Sequence, residues 1–558
     1  MTAALHPGLL YLLGALLVAV APLRLRRSLL VLVAVAALAA TAVLPEGRAG
    51  AISFAGRTLE LLRVDAWSRL FALAFTAIGL LATVYGLHVR ARGPHVAAFA
   101  YTGSALGAVF AGDLLTLFIC WELMAVSSTF LVLGRRTDSA LAAGYRYLLV
   151  HAVGGTFLLG GILVHLAAGA DLAFGALAGS AGAPLILLGF ALNAAIPPLH
   201  AWLTDAYPEA TVGGAVFLSA LTTKTAVYAL ARGFSGEEFL VWVGVVMALY
   251  GVVFAVLEND IRRLLGYHIV SQVGYMVCGI GLGTPLALAG AAAHAFCHIL
   301  YKGLLFMGAG AVLEMTGRSK LTELGGIGRR MPWTLMLYMV GAFSISGVPL
   351  FNGFVSKSLV VAAAEQAQRP GVEWLLVLAS IGTFLHTGLK LPWFTFLGAD
   401  HGIPAGDPPA TMRLAMVGTA AFCILIGVAP HLLYRLLPYP VEYAPYTWSH
   451  VLTSIQLLAG TAIGFFALLD KLAGEPTVTL DADWLYRQGG RLLVAMAREL
   501  VGVTTAVAAG TRGALSRARA AARPTDRAGT LGGRTGSWVA VALIILVVLA
   551  ALLARRSW

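Results

Sequence analysis

Charge is scarce in this chain. Its 558 residues include only 38 lysines and arginines and 26 aspartates and glutamates, 11% in all, against 59% hydrophobic residues and a mean hydropathy of +0.85. That supply is too small to clothe a soluble domain of this size. Cysteine is scarcer still. Cys120, Cys278, Cys297 and Cys423 stand singly in apolar segments without CxxC spacing, so neither a disulfide framework nor a metal cluster is indicated and the four read as packing residues. No glycine fingerprint follows a strand and opens a helix, and no Ser/His/Asp set has a recognisable context. No cofactor is therefore expected, and any redox chemistry is expected elsewhere.

What is present is a succession of long apolar runs. A bilayer-spanning helix needs roughly 20 apolar residues. Such runs recur at about 7–24, 28–44, 66–89, 95–111, 113–133, 141–169, 183–204, 212–232, 239–257, 261–282, 286–315, 331–367, 373–398, 411–430, 448–470 and 538–554. The pattern predicts an all-α polytopic membrane protein of about 16 transmembrane helices. The first run precedes Arg24, Arg26 and Arg27, the reverse of a secretory signal, and reads as a retained span. Basic residues then fall on alternate loops, at Arg90/Arg92, Arg135/Arg136, Arg262/Arg263 and Arg318 to Arg330, whereas the loop at 170–182 has Asp171 and no lysine or arginine. The positive-inside rule places the basic loops in the cytoplasm and the N-terminus outside. The net charge of +12 is thereby accounted for without a nucleic-acid partner; the lipid bilayer is the partner the composition demands.

The spans are close-set to about residue 470, as in one integral bundle. Beyond them, residues 482–523 mix Leu, Val and Ala with Arg487, Arg491, Arg498, Arg512, Arg517, Arg519 and Arg523. This predicts an amphipathic helix lying along the cytoplasmic surface, with a solvated basic linker as the alternative. Unbroken, it would reach roughly 60 Å at 1.5 Å per residue. Residues 524–537 read as a flexible connection to the last span.

Two runs contain helix breakers at membrane depth: Pro197 and Pro198 in "ALNAAIPPLHAWLTDAYPEA" (191–210), and Gly347, Pro349 and Gly353 in "SISGVPLFNGFVSKSLV" (344–360). Irregular backbone is tolerated in a membrane where it is buried in protein or lines a watery cavity, and paired broken helices mark transporter repeats. Ordinary proline kinks are the simpler alternative for either stretch alone.

Ionisable groups cost several kcal/mol at a bilayer centre, so those retained there are functional candidates. Glu122 lies about ten residues into its span with no basic residue near in sequence. Alone it would be neutral; beside a lysine or arginine from another helix it would stay ionised. Lys224, flanked by Thr222, Thr223 and Thr225, is too central to snorkel. His294, His298 and Lys302 recur every four residues and so form one stripe, about 12 Å long, on a helix face. Histidine titrates near neutrality, so protons could step along this stripe through water. Zinc is the rival for the HxxxH spacing, but no intervening glutamate or nearby acidic ligand accompanies it, and no metal is expected. Lys357 follows the second break, Lys390 precedes Pro392 as a second exit group or an interfacial anchor, and Asp113 is a weaker candidate.

The motifs "WELM" (121–124), "IPPLHAWLTDAYPEA" (196–210), "LTTKTAVYALAR" (221–232), "ENDIRRLLGYHIVSQVGYM" (258–276), "HAFCHILYKGLLFMGAGAV" (294–312) and "GVPLFNGFVSK" (347–357), six in order over roughly residues 65–470, resemble the antiporter-like membrane subunits shared by complex I and the multisubunit Mrp cation/proton antiporters. The fourth motif looks most like the Mrp D subunit; the tail looks like the distal complex I subunit. The resemblance implies two inverted five-helix repeats, each with a broken helix and half a proton channel, joined by a polar axis. The implied organisation is N-terminal helices (1–94), an antiporter-like core (95–470), a lateral helix with its linker (471–537) and a last span (538–558). Glu122 matches the family's acidic gate, Lys224 its central lysine, His298 and Lys302 its connecting groups, and Lys357 its terminal ionisable residue. One position departs: the lysine that the family usually places thirty-one residues before the central one is Asn193 here. Glu122 then has another partner, is protonated at rest, or belongs to a modified or inactive half-channel.

The function this predicts is proton translocation within a monovalent cation (Na⁺)/H⁺ antiporter of the Mrp type, among other hydrophobic subunits of an inner-membrane complex. The alternatives are the same channel driven by a quinone- or ferredoxin-linked redox or hydrogenase arm, and a scaffold whose channel is vestigial.

Overall fold

The computed structural model describes residues 5–54, 56–473, 481, 482, 484 and isolated positions between 488 and 499. Most of the expected lateral helix, its linker and the last span at 538–554 lie outside the described residues. Met1–Trp484 form one compact unit, to which everything below refers.

Apolar runs become helices wherever a breaker does not intervene. In chain order these are α1 (Pro7–Val20), α2 (Leu23–Val43), α3 (Ala66–Gly86), α4 (Arg92–Phe110), α5 (Leu114–Leu133), α6 (Asp138–Ala167), α7 (Ala183–Asn193), α8 (Ala201–Glu209), α9 (Val212–Ala220) and α10 (Thr222–Gly233). There follow α11 (Glu238–Leu257), α12 (Ile261–Leu282), α13 (Pro285–Thr316), α14 (Pro332–Ser346), α15 (Asn352–Gln366), α16 (Pro370–Thr383), α17 (Ala410–Val428), the short α18 (His431–Tyr434) and α19 (Trp448–Ala467). Among the described residues, 11 segments are long and apolar enough to cross a membrane, with shorter apolar helices at Pro7–Val20, Ala183–Asn193 and Pro332–Ser346.

Two sets of five passes emerge from this order. The first is α4, α5, α6, α7 with α8, and α9 with α10; the second is α11, α12, α13, α14 with α15, and α16 with two π-helical segments, Phe384–Lys390 and Trp393–Leu397. Five is odd, so the second set enters from the opposite side and the two are inverted. The fourth pass of each is broken as the prolines foretell, at 194–200 and 347–351. Gly353, expected in the second break, instead sits in the first turn of α15. The fifth passes are also irregular, which the sequence pattern does not announce. At Leu221 (φ −98°, ψ −64°) α9 stops and α10 begins, and the backbone N–H of Thr222 donates to the Tyr101 hydroxyl at 2.9 Å instead of continuing the helix ladder.

A second unannounced feature is an antiparallel hairpin between α2 and α3, with β1 (Gly47–Phe54) paired to β2 (Arg57–Val64) in the register Gly47↔Val64 to Phe54↔Arg57. Glu60 latches it to the α4–α5 junction. Its N–H donates to Asp113 Oδ2 at 2.7 Å and its carbonyl accepts from Gly112 N at 2.9 Å. Asp113 also caps α5, accepting from the N–H groups of Leu115 and Thr116 at 2.9 and 2.8 Å. A side-chain oxygen at this position satisfies donors that a helix start leaves open, so this candidate ionisable residue has a structural occupation. At the start of α3, Asp65 binds Arg232 of α10 through both carboxylate oxygens at 2.5 and 2.6 Å. Burial pushes its carboxyl up, but hydrogen bonding and charge from Arg232 outweigh this and hold it below the usual carboxylate range.

Candidate functional site

The second break explains one site directly. In a continuous helix the carbonyl of Ile345 would accept from the N–H four residues on, but residue 349 is proline and has none. The freed carbonyl accepts from Lys357 Nζ at 2.9 Å, and Ser380 Oγ is 3.2 Å from the same nitrogen. The ammonium lies 5.3 Å from the centre of the Tyr275 ring. Lys357 also lines a cavity of about 400 Å³ shared with Ser358, Glu365, Glu373, Ser380 and His450, large enough for several waters.

Lys224 is fully buried just beyond the Leu221 discontinuity. Its Nζ donates to the Ser219 carbonyl at 2.6 Å and to Thr223 Oγ1 at 3.0 Å. Of the flanking threonines only Thr223 meets the ammonium nitrogen; Thr222 Oγ1 is 2.6 Å from the Tyr101 hydroxyl and Thr225 Oγ1 donates to the Leu221 carbonyl at 3.1 Å.

His294, His298 and Lys302 are all fully buried on α13. His294 Nδ1 meets Ser356 Oγ at 3.1 Å, and its Nε2 lies 3.4 Å from the Tyr301 hydroxyl. The His294 and His298 rings are 6.3 Å apart. Both nitrogens of His298, and Lys302 Nζ, have no hydrogen-bond partner among the described residues. Burying such atoms costs free energy unless water or a transferable proton satisfies them.

Glu122 is half-buried on α5. Its Oε1 is buried without a partner, pressed against Gly155 of α6: a Cβ placed there would lie 2.6 Å from Glu122 Cδ. Among the described residues no lysine or arginine pairs with it. Asn193, at the end of α7, accepts at 2.9 Å through Oδ1 from Nδ1 of His151, also on α6.

Lys390 does not join Lys357. The second fifth pass carries it toward the basic-loop end, where its Nζ donates to the carbonyls of Val256 and Glu258 at 2.5 and 3.3 Å. One turn back, His386 Nδ1 lies 3.0 Å from His268 Nε2 of α12, and both rings are fully buried. His268 and His386 escape sequence reasoning because each is a single histidine in an apolar run, and His151 because its only companion in the run, His165, lies fourteen residues on. A recurring histidine in the third pass of each repeat was the available signal for His151; for the other two, the pairing is visible only in three dimensions. A further buried group is Asp481, which accepts from His200 Nε2 at 3.1 Å, from the Tyr267 hydroxyl at 2.6 Å, and from the Tyr250 hydroxyl. Burial alone would push its carboxyl up; these donors and the His200 charge bring it well below the usual range.

Residues 111–386 match the family model described as NADH:quinone oxidoreductase/Mrp antiporter, TM. The chain is 32% identical over 352 residues to the D-type subunit of the Na(+)/H(+) antiporter of Alkalihalophilus pseudofirmus, covering 59% of this chain and 71% of that protein. It is 28% identical over 418 residues to hydrogenase-4 component B of Escherichia coli, covering 66% of this chain and 62%, under two thirds, of that one. Its fold is similar to that of a chain in the Mrp complex of Dietzia sp. DQ12-45-1b, with a TM-score of 0.68 at 23% identity over 83% of this chain and 99% of the other. The inverted repeats, their broken fourth passes and the level of these matches agree: the chain is a polytopic membrane protein and belongs to the NADH:quinone oxidoreductase/Mrp antiporter family of membrane subunits.

Proposed function

We propose that this chain is the proton-translocating subunit of a multisubunit monovalent cation/proton antiporter of the Mrp type, exchanging H⁺ for Na⁺ or a similar cation. Protons pass along Glu122, Lys224, the His294/His298/Lys302 stripe and Lys357, whose cavity forms one water-filled outlet, while Lys390 with His386 and His268 forms a branch toward the basic-loop side. The observation that carries this reading is the buried row of unpartnered titratable atoms on α13, His298 Nδ1 and Nε2 and Lys302 Nζ, lying in a bundle whose second broken pass frees a backbone carbonyl for Lys357. The Alkalihalophilus pseudofirmus relative supports the antiporter assignment.

Lys224→Ala and Lys302→Ala test it. Both variants should assemble with their partner subunits yet lose proton movement, read as a pH-sensitive dye signal in inverted vesicles after a Na⁺ addition. Full transport in either would sink the assignment and favour a scaffold. The hydrogenase-4 relative supports a second reading, the same channel coupled to a redox arm. Mild purification followed by mass spectrometry decides between them: small hydrophobic subunits indicate the antiporter, iron–sulfur or flavin polypeptides the redox complex.

A further inference from the structure

Glu122 has no lysine or arginine partner among the described residues, and position 193, where the family resemblance implies a lysine, is asparagine. We propose that His151 is the proton-exchanging partner of Glu122, held for that task by Asn193. This rests on the reading of the chain as a proton carrier.

His151 is 1% exposed, and so is Asn193. An amide oxygen only accepts, so the 2.9 Å contact makes Nδ1 of the ring the donor and leaves Nε2 as a bare lone pair. That Nε2 has no partner among the described residues, and neither has Glu122 Oε1. The two orphaned atoms are complementary, an acid and a base. The two side chains approach the same face of α6: Glu122 presses on Gly155, which follows His151 by four residues. One helical turn, about 5.4 Å along the axis, separates positions 151 and 155, and the proposed transfer uses one water or a rotation of the glutamate side chain to cross it. A proton leaves a Glu122 carboxyl oxygen for Nε2 and creates a carboxylate–imidazolium pair; its return restores the neutral state, whereas its onward passage leaves the Glu122 carboxylate ionised until a second proton reaches it.

The rings of Tyr147 and Trp202 pack 4.2 and 4.6 Å from the imidazole. The nearest arginine along α6, Arg146, is bound to Asp205 of α8 at 2.6 and 2.9 Å. Hydroxyls lead onward: Tyr147 to Ser128 at 2.9 Å, then on the facing helices Tyr101 to Thr222 and Thr223 to Lys224. Repeat symmetry supports the same assignment. Helix α6 is the third pass of the first repeat, as α13 is of the second, and α13 carries His294, His298 and Lys302. The asparagine at 193 is coupled to the histidine at 151 by the 2.9 Å contact.

The test uses the assembled complex in inverted vesicles, with assembly followed by co-purification. H151Q should cut proton transport by about tenfold or more, the scale of losing one acid–base group, as should E122Q. The double variant H151Q/N193K should recover transport to within about threefold of wild type, because a lysine restores a protonatable cation; a merely structural histidine would not be rescued by lysine at a different position. K224A, run beside them, checks the underlying reading: H151Q at full rate with K224A dead overturns the role of His151 alone, whereas both at full rate overturns proton carriage by the chain. If H151Q fails to assemble, the exchange variant H151N/N193H keeps one imidazole and one amide in contact. Transport retained by it supports the proposal, and transport lost with assembly intact refutes it.

Discussion

Replacing Gly155 by alanine separates the geometry of Glu122 from the stability of the bundle. The added methyl would lie 2.6 Å from Glu122 Cδ and 3.0 Å from Oε2, where ordinary contact begins at 3.4 Å. Oε1 would lie closer still, so the carboxyl must retreat by well over the roughly 0.8 Å that Cδ alone requires. Because it is the far end of a flexible side chain, the retreat costs only about 0.5–1.5 kcal/mol of rotamer strain. Alanine returns about 0.5–1 kcal/mol in a helix interior, so the net change in stability is close to zero. Proton transfer is less forgiving: it needs heavy atoms within about 2.6–3.2 Å or one bridging water, and a misplacement of about 1 Å can cost about 10²-fold. Gly155→Ala should therefore assemble and melt like wild type while its dye-detected proton transport falls about ten- to a hundredfold. Gly160→Ala, on the same helix, places its Cβ 3.8 Å from Leu185 Cδ1 and serves as the control, with transport unchanged. Transport by Gly155→Ala within about twofold of wild type would refute the placement of Glu122 as a gate facing α6.

At the second break, Gly353→Ala would set a methyl 2.7 Å from the carbonyl carbon of Ser344 and closer still to its oxygen. Here backbone must move, so a loss of about 3 kcal/mol is expected, at the upper end for overpacking, read as a lower melting temperature of the purified complex; an unchanged one would contradict the tight packing of the break. Asp481→Asn removes the carboxylate that gathers His200, Tyr250 and Tyr267. Leaving such buried donors poorly matched costs about 1–3 kcal/mol, and thermal melting equal to wild type would show the cluster to be incidental. Asp65 titrates below the usual carboxylate value, so its contribution is present above about pH 3.9 and fades as pH falls through the lower folded value. The melting difference between wild type and Asp65→Asn should therefore shrink on acidification, and a constant difference would contradict the ion pair with Arg232.

Much of this architecture is legible in the order of the amino acids. Pro349 guarantees that the Ile345 carbonyl goes without a backbone donor, and Pro197 and Pro198 interrupt the other fourth pass, because a ring without N–H cannot continue the ladder. The four-residue spacing of His294, His298 and Lys302 fixes them to one face of one helix. The hairpin at 47–64 was not legible, since β1 is exposed almost throughout and its anchor, Asp113, lies far along the chain. Nor were the π-helical turns that carry His386 and Lys390, since nothing in the residue pattern marks the change from α to π geometry.

By itself, then, the sequence determined which segments are helical and membrane-embedded, where two of them break, and that Lys224, His294, His298, Lys302 and Lys357 are kept from water, because periodicity, proline chemistry and the cost of buried charge act within a segment. Only the tertiary structure decided which groups meet. His151 finds Asn193 across 42 residues, and His268 finds His386 across 118. Lys357 turns to the Ile345 carbonyl while Lys390 goes to Val256 and Glu258. Such meetings depend on the rotation and depth of one helix against another, and side-chain spacing along a single helix carries no record of either.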